Sequence, residues 1–234
     1  MTISPLGDSA LLVDFGDESS SAPELLDRAL SVAAQLRRAK LRGVAEVTSA
    51  YQSVTVFLHL SDIDALPDIA SHFERQIGQI VAPGQRVKTK GRLIEVPVCY
   101  GPEFALDEQR VTSATGLPFN SVVELHAAGE FIVACIGFMP GFPYLAGLPE
   151  ALHLPRLPAP RARVPAGSVA VANGQAGIYP FESPGGWNII GRTHLRLFDP
   201  GKTPPALLAP GDKVRFRKIS REEFHHALAS VEVR

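Results

Sequence analysis

The chain has 234 residues, 45% of them hydrophobic and 20% charged, with a formal net charge of −1. That length and composition support a sizeable core in one or two domains, and a charge so close to zero gives no footing for nucleic acid or for a polybasic membrane contact. No apolar run reaches the roughly 18 residues of a membrane span, the opening MTISPLGDSALLVDFGDE has no basic and apolar leader, and two widely spaced cysteines, Cys99 and Cys135, read as small buried residues, so a cytoplasmic protein is expected.

Ser9 to Phe15 is a short apolar run that predicts a strand. Pro23 to Lys40 repeats Leu25, Ala29, Val32 and Leu36 along one stripe, which predicts an amphipathic helix. Ser21 with Glu24 makes a capping-box pattern at its start, and the basic end before Gly43 suits its close. Val44 to Ser49 and Val54 to Leu60 read as strands, the second with Val54, Val56, Leu58 and Leu60 on one face. Asp64 to Val81 predicts a second helix through Ile69, Phe73, Ile77 and Ile80. A basic stretch, residues 86–92, then leads to a strand over Leu93 to Val98. The order β-α-β-β-α-β predicts a ferredoxin-like α/β sandwich, with a domain over residues 1–91 and a second over 92–234. No phosphate-binding glycine loop follows any of these strands.

In the second half, Asp107 to Thr115 predicts a short helix closed by Gly116, and Asn120 to Ala127 another that ends near His126. Phe131 to Ile136, His194 to Phe198 and Lys213 to Arg217 read as strands, and Ser220 as the cap of a last helix. Short strands set between Gly/Pro turns predict a barrel or sandwich, making the whole chain α+β.

Between those strands lies Gly137 to Gly191, whose 55 residues hold 9 of the 20 Gly and 9 of the 20 Pro, the lone Trp187 and two of the four Tyr. Gly frees the backbone and Pro freezes it, so this density with aromatics and few charges predicts shaped, ordered loops that form the working surface. The seven His have no metal-ligand spacing and there is no CxxC, so no metal site is expected. Ser168 lacks a nucleophile elbow. Cys135 would need His126 as its base, but its place in the middle of FIVACIG favours burial. Arg156, Arg161 and Arg163 sit among prolines, so their forked donors are either preorganised for a carboxylate or phosphate, or held in ion pairs and stacking on Trp187 and Tyr144. Glu182, between Phe181 and a Pro-Gly-Gly turn, is an acid/base candidate or an exposed turn residue, with Arg192 on the far side of Trp187.

GFMPGFPYLAGLP, PRARVPAGSVAV, GIYPFESPGGWNIIGRT and LLAPGDKVRF, in that order, closely resemble the family of bacterial 5-oxoprolinase B subunits, also known as the KipI kinase-inhibitor and allophanate hydrolase subunit 1 family. The resemblance runs from GDSALLVDFGD to VRFRKIS. It implies a cyclophilin-like barrel for the second domain, and a role with the enzyme's A and C subunits in the ATP-dependent opening of 5-oxo-L-proline to L-glutamate, with ATP and Mg²⁺ shared with the partner. On that reading Glu182, Arg192 and His126 are the catalytic candidates. Tyr144, Arg156, Arg161 and Arg163 would bind substrate or ATP, together with Gln175, Tyr179 and Trp187. The same family also implies two alternatives, a histidine-kinase inhibitor and a carboxyltransferase-type component for urea-derived substrates. Phe104-Ala105-Leu106-Asp107 replaces the Gly-Pro-Asp-Leu type of turn expected after PVCYG. Ala176 stands where the family usually has Thr, which would remove a hydroxyl from a pocket rim.

Overall fold

The computed structural model describes residues 1–16, 20–59, 61, 69–81 and 91–232. The chain falls into two compact units, Met1–Lys90 and Gly91–Arg234. The expected Leu60, the start of the predicted second helix over residues 64–68 and the basic residues 86–90 lie outside the described residues.

The first unit holds β1 (Thr2–Pro5), β2 (Ala10–Asp14), α1 (Ala22–Ala39), β3 (Val44–Ala50), β4 (Ser53–Leu58) and α2 (Ile69–Ile80). Its four strands form an antiparallel sheet in the order β1-β2-β4-β3. The capping box is present: the Glu24 carboxylate accepts hydrogen bonds from the Ser21 N–H at 2.9 Å and the Ser21 hydroxyl at 2.8 Å. Helix α1 closes at Lys40, the predicted end of the stripe, which adopts the left-handed region at φ 45°. The predicted stripe buries Leu25, Ala29, Val32 and Leu36 against Val13, Val47, Val54 and Val56, and Phe73 and Ile77 of α2 join the same cluster. The predicted fourth strand is corrected. Leu93–Val98 does not close this sheet; Thr2–Pro5 takes the edge beside β2.

The second unit begins with that reassigned strand, β5 (Leu93–Val98), followed by α3 (Glu108–Thr115) and α4 (Phe119–Ala128). Strands β6 (Phe131–Ile136), β7 (Pro143–Ala146), β8 (Arg161–Val164), β9 (Ser168–Ala172) and β10 (Gln175–Ile178) come next. Strands β11 (Ser183–Gly185), β12 (Asn188–Arg192) and β13 (Lys213–Lys218) precede a last helix, α5 (Arg221–Glu232). Seven strands form one sheet in the order β12-β9-β10-β7-β6-β13-β5. Strand β5 runs parallel to β13 along six paired residues, and every other pairing in the sheet is antiparallel. Its outer strands meet where Cys99 and Arg192 exchange two backbone hydrogen bonds of 2.9 Å, so the sheet is a nearly closed barrel. Closure removes the exposed edges that an open sheet would offer.

The barrel interior is filled by side chains, among them Val96, Val98, Phe131, Val133, Leu145, Val169, Val171, Ile178, Ile190 and Phe216. Two predictions for this unit are corrected. Gly137 to Gly191 is not made of loops alone, for six strands, β7 to β12, lie within it or run to its edge. His194 to Phe198 is not a strand: Leu197 is buried, but Leu207 donates to its carbonyl at 2.9 Å and only an isolated Phe198–Ala206 bridge follows. Half-buried Leu195 and buried Leu197 satisfy the period-2 pattern there without a ladder partner. Among the described residues no helix is long and apolar enough to cross a membrane.

Candidate functional site

Strand β9 is buried at all five residues. Val169 and Val171 face the barrel interior, while Ala170 and Ala172 face a separate cluster with Phe142, Val164, Tyr179, Trp187 and Ile189. The short ribbon β8–β11 contributes Val164 to that cluster and so covers the outer face of the barrel wall. Between ribbon and wall lies a cavity of about 280 Å³, lined by Phe138, Phe142, Tyr144, Arg156, Pro160, Tyr179, Pro184, Gly185, Gly186 and Trp187.

Phe142 is the hub of its aromatic walls. It meets Phe138, Tyr144, Tyr179 and Trp187 edge to face, with ring centroids 5.0–5.7 Å apart, the geometry that ring quadrupoles favour. Two glycines let these rings close up. A Cβ on Gly177 would lie 2.8 Å from the Phe142 ring and 3.1 Å from the Trp187 ring, and one on Gly185 would lie 2.4 Å from the Tyr179 hydroxyl oxygen. Burial pushes the Tyr179 hydroxyl up in pKa, and a hydrogen bond with the Trp187 backbone partly offsets this. Burial likewise raises Tyr144. Both phenols therefore stay protonated at neutral pH.

Arg156 is the charged side chain of the lining, 6.0 Å from the Trp187 ring centroid. Its backbone is fixed from both sides. The buried Asn188 amide donates to the carbonyls of Pro155 and Val171, each at 3.0 Å, and Leu157 N–H donates to Gly186 O at 2.7 Å. Arg110 Nε donates in turn to Asn188 Oδ1 at 2.9 Å.

The other two arginines of the proline-rich stretch are already committed. Arg161 grips the buried Asp107 carboxylate with both terminal nitrogens, at 2.9 and 2.5 Å, and Asp107 also accepts Ile189 N–H at 2.7 Å. Arg163 pairs with Glu182 at 2.7 and 2.9 Å on the surface, where the two side chains are 78% and 51% exposed. Of the expected site residues, the fold thus gathers Tyr144, Arg156, Tyr179 and Trp187 around one cavity, and leaves Arg161, Arg163 and Glu182 outside its lining.

The remaining candidates lie elsewhere. Arg192 donates from Nε to Ala166 O at 2.8 Å and stands 6.0 Å from the Phe104 ring centroid; burial lowers its pKa. Gln175 follows the Asn173–Gly174 turn of the β9–β10 hairpin, where both turn residues have positive φ. His126 lies in the core, stacked on Phe216 at 4.3 Å with Nδ1 2.8 Å from the Tyr100 hydroxyl oxygen. Burial pushes its pKa down to about 3, so it is neutral. Cys135, raised to about 11 by burial, is a thiol and not a thiolate. Ala176 is also corrected: its side chain points into the barrel core and not to a pocket rim.

Sequence reading missed Phe138 and Phe142 as pocket walls, and Asp107 and Asn188 as its braces. The spacing in GFMPGFPY carried the first signal: aromatics flank a Pro-Gly turn whose N–H and C=O groups close on one another between Gly137 and Phe142.

A family model, "Carboxyltransferase domain, subdomain C and D", matches residues 1–208. The B subunit of 5-oxoprolinase from Bacillus subtilis (strain 168) is 38% identical over 229 residues, which is 95% of each chain. The chain belongs to the family of 5-oxoprolinase B subunits. Among solved structures similar to it, TTHA0988 is 36% identical with a TM-score of 0.75, and the match covers 90% of this chain and 40% of that one. This member of the family therefore spans about 40% of that protein's length. The Kluyveromyces lactis urea carboxylase has a TM-score of 0.75 at 20% identity, over 97% of this chain and 22% of that one, a likeness of fold alone.

Proposed function

We propose that this chain is one component of an ATP-dependent 5-oxoprolinase, built as a ferredoxin-like unit followed by a cyclophilin-like barrel. It would act in direct contact with the enzyme's C subunit, and together with its A subunit, to open 5-oxo-L-proline to L-glutamate. The observation that carries this reading is the 38% identity to a 5-oxoprolinase B subunit across 95% of both chains. The chemistry is consistent with a shared centre. Among the candidate nucleophiles and bases, His126 is sealed in the core and Cys135 is held as a thiol, so neither is set up to attack or to take a proton.

ATP and its Mg²⁺ do not fit the cavity described above. Its lining has one guanidinium and no carboxylate, and among the described residues no group of three His, Cys, Asp or Glu could hold a metal ion. A triphosphate with its metal needs several converging cations and oxygen ligands. This chain's own residues are therefore assigned to holding and orienting the organic substrate.

The test mixes the purified chain with candidate A and C subunits and follows glutamate release against 5-oxo-L-proline and ATP. Turnover that needs all three components supports the reading, and no turnover from the complete mixture overturns it. The carboxyltransferase domain match favours a second reading, a component that works on urea-derived substrates. Supplying urea or allophanate to the same mixture decides between the two.

A further inference from the structure

We infer that the cavity between the β8–β11 ribbon and the barrel wall binds a small cyclic carboxylate, with Arg156 as the carboxylate anchor and the Trp187, Tyr144 and Phe142 rings holding the ligand ring. The inference rests on the 5-oxoprolinase reading for the identity of that carboxylate, 5-oxo-L-proline, but not for its chemical class.

Size comes first. Cavities that take drug-sized ligands run from about 300 to 1,000 Å³, so 280 Å³ suits a ligand smaller than those, well below a nucleoside triphosphate. Charge comes next. Arg156 is the lining's one cation, with no acid facing it, and among the described residues it makes no ion pair, whereas Arg161 and Arg163 each have a carboxylate. A planar guanidinium with free donors is matched by one carboxylate. Its rest position near the Trp187 ring is one that a cation occupies until an anion recruits it.

Shape points the same way. The walls are edge-to-face rings locked by the close approaches at Gly177 and Gly185, so they cannot collapse into the space between them. A small ring can lie along such walls and exclude water. Phe138 adds an independent sign. It is a bulky residue at φ 68°, a costly backbone conformation, yet the residue is 62% exposed where it lines the cavity, 5.5 Å from the Phe142 ring centroid. Strain of this kind persists at ligand clamps, where surrounding structure holds it for a purpose. The Asn188 amide bond to Pro155 O and the Leu157 N–H bond to Gly186 O fix the backbone on either side of Arg156 at the rim, which lowers the ordering cost of binding.

The chain has a single tryptophan, and it is in this cavity. Growth on 5-fluorotryptophan therefore gives this chain one ¹⁹F resonance, readable both in the free chain and after assembly with unlabelled partners. The titrants are 5-oxo-L-proline, 2-pyrrolidinone (the same ring without the carboxylate), pyrrole-2-carboxylate and ATP with Mg²⁺. The expected result is a saturable shift with 5-oxo-L-proline, and a shift with 2-pyrrolidinone only at concentrations at least about tenfold higher, the loss of one charge-assisted contact. Arg156→Gln should erase that tenfold difference while leaving the 2-pyrrolidinone response in place. Arg156 is exposed, so the variant keeps the fold.

A shift produced by ATP and by none of the three ring compounds overturns the inference, as does a tenfold preference that survives in Arg156→Gln. A resonance that moves with nothing in the assembled complex also overturns it. If pyrrole-2-carboxylate shifts the signal and 5-oxo-L-proline does not, the cavity assignment stands and the 5-oxoprolinase reading fails. If the complex turns over 5-oxo-L-proline while the resonance stays still, the reading stands and the cavity assignment fails.

Discussion

The two faces of the barrel wall both bury apolar side chains, yet they are built differently. Inside, aliphatic side chains such as Val169, Val171 and Ile190 interdigitate and leave the barrel filled. Outside, under the β8–β11 ribbon, rings meet edge to face around a space that their own geometry keeps open. The polar groups divide the same way. Asp107 and Asn188 are fully used, accepting from Ile189 N–H and Arg161 or bonding Pro155, Val171 and Arg110, and they fasten the ribbon side to the wall. Arg156 at the rim has no such partner among the described residues. Side chains saturated with partners are architecture, and the one left unsaturated beside a cavity is where a ligand can add a bond.

Breaking the fastening should have the largest effect. Asp107→Ala leaves the Arg161 guanidinium and the buried Ile189 N–H without their acceptor. Removing one partner of a buried pair typically costs about 3–5 kcal/mol, and with Arg161 partly exposed the lower end is expected, about 3 kcal/mol, read by urea denaturation. A loss below about 1 kcal/mol would show that the pair is not structural.

A smaller effect tests the filled interior. His126 is neutral in the fold, with its pKa pushed down to about 3 by burial, while the unfolded chain takes up the proton near pH 6.5. Between those values the unfolded state binds more protons. The stabilising difference is therefore complete above about pH 6.5 and is lost as pH falls, by at most about 1.4 kcal/mol per pH unit. Denaturation midpoints at pH 7.5 and pH 5 should differ accordingly, and His126→Phe should flatten that part of the slope. An unchanged slope in the variant would assign it to other groups.

The smallest effect is expected at the surface pair. Glu182→Gln breaks a contact whose partners are both largely in water, where such pairs contribute about 0–1 kcal/mol. A change in Tm of no more than about 2–4 °C should follow. Turnover in the assembled complex then tells whether Glu182 has a role beyond that pair: a wild-type rate leaves it a surface residue, and a lost rate makes it part of a centre shared with another component.

Much of this fold was legible in the sequence where local rules suffice. Both helix caps, Ser21 with Glu24 and Ser220 beside Glu223, are present as read. The alternation of Val54, Val56 and Leu58 marked a strand with one buried face. The rest depends on long-range facts. Strand β5 pairs with β13, some 120 residues away, through a parallel register that no local pattern carries. Thr2–Pro5 shows no alternation because it is an edge strand, exposed at three of its four residues. Strand β9 shows none for the opposite reason, burial on both faces. The glycines of the central segment looked like loop formers, yet Gly177 sits inside a strand because two rings leave no room for a Cβ. Asn173–Gly174, a local turn pair that the sequence reading did not use, joins β9 to β10. Tyr144, Arg156, Tyr179 and Trp187, four of the residues read as binding candidates, line one cavity. Arg161 and Arg163 are held by carboxylates, Arg192 by a carbonyl and His126 by the core, which only a folded structure can show.

The most direct test is a pair of Michaelis constants. In the complex assembled with Arg156→Gln, KM for 5-oxo-L-proline is predicted to rise at least about tenfold while KM for ATP stays at its wild-type value. An unchanged KM for 5-oxo-L-proline, or a rise confined to ATP, would contradict the assignment of Arg156 as the carboxylate anchor.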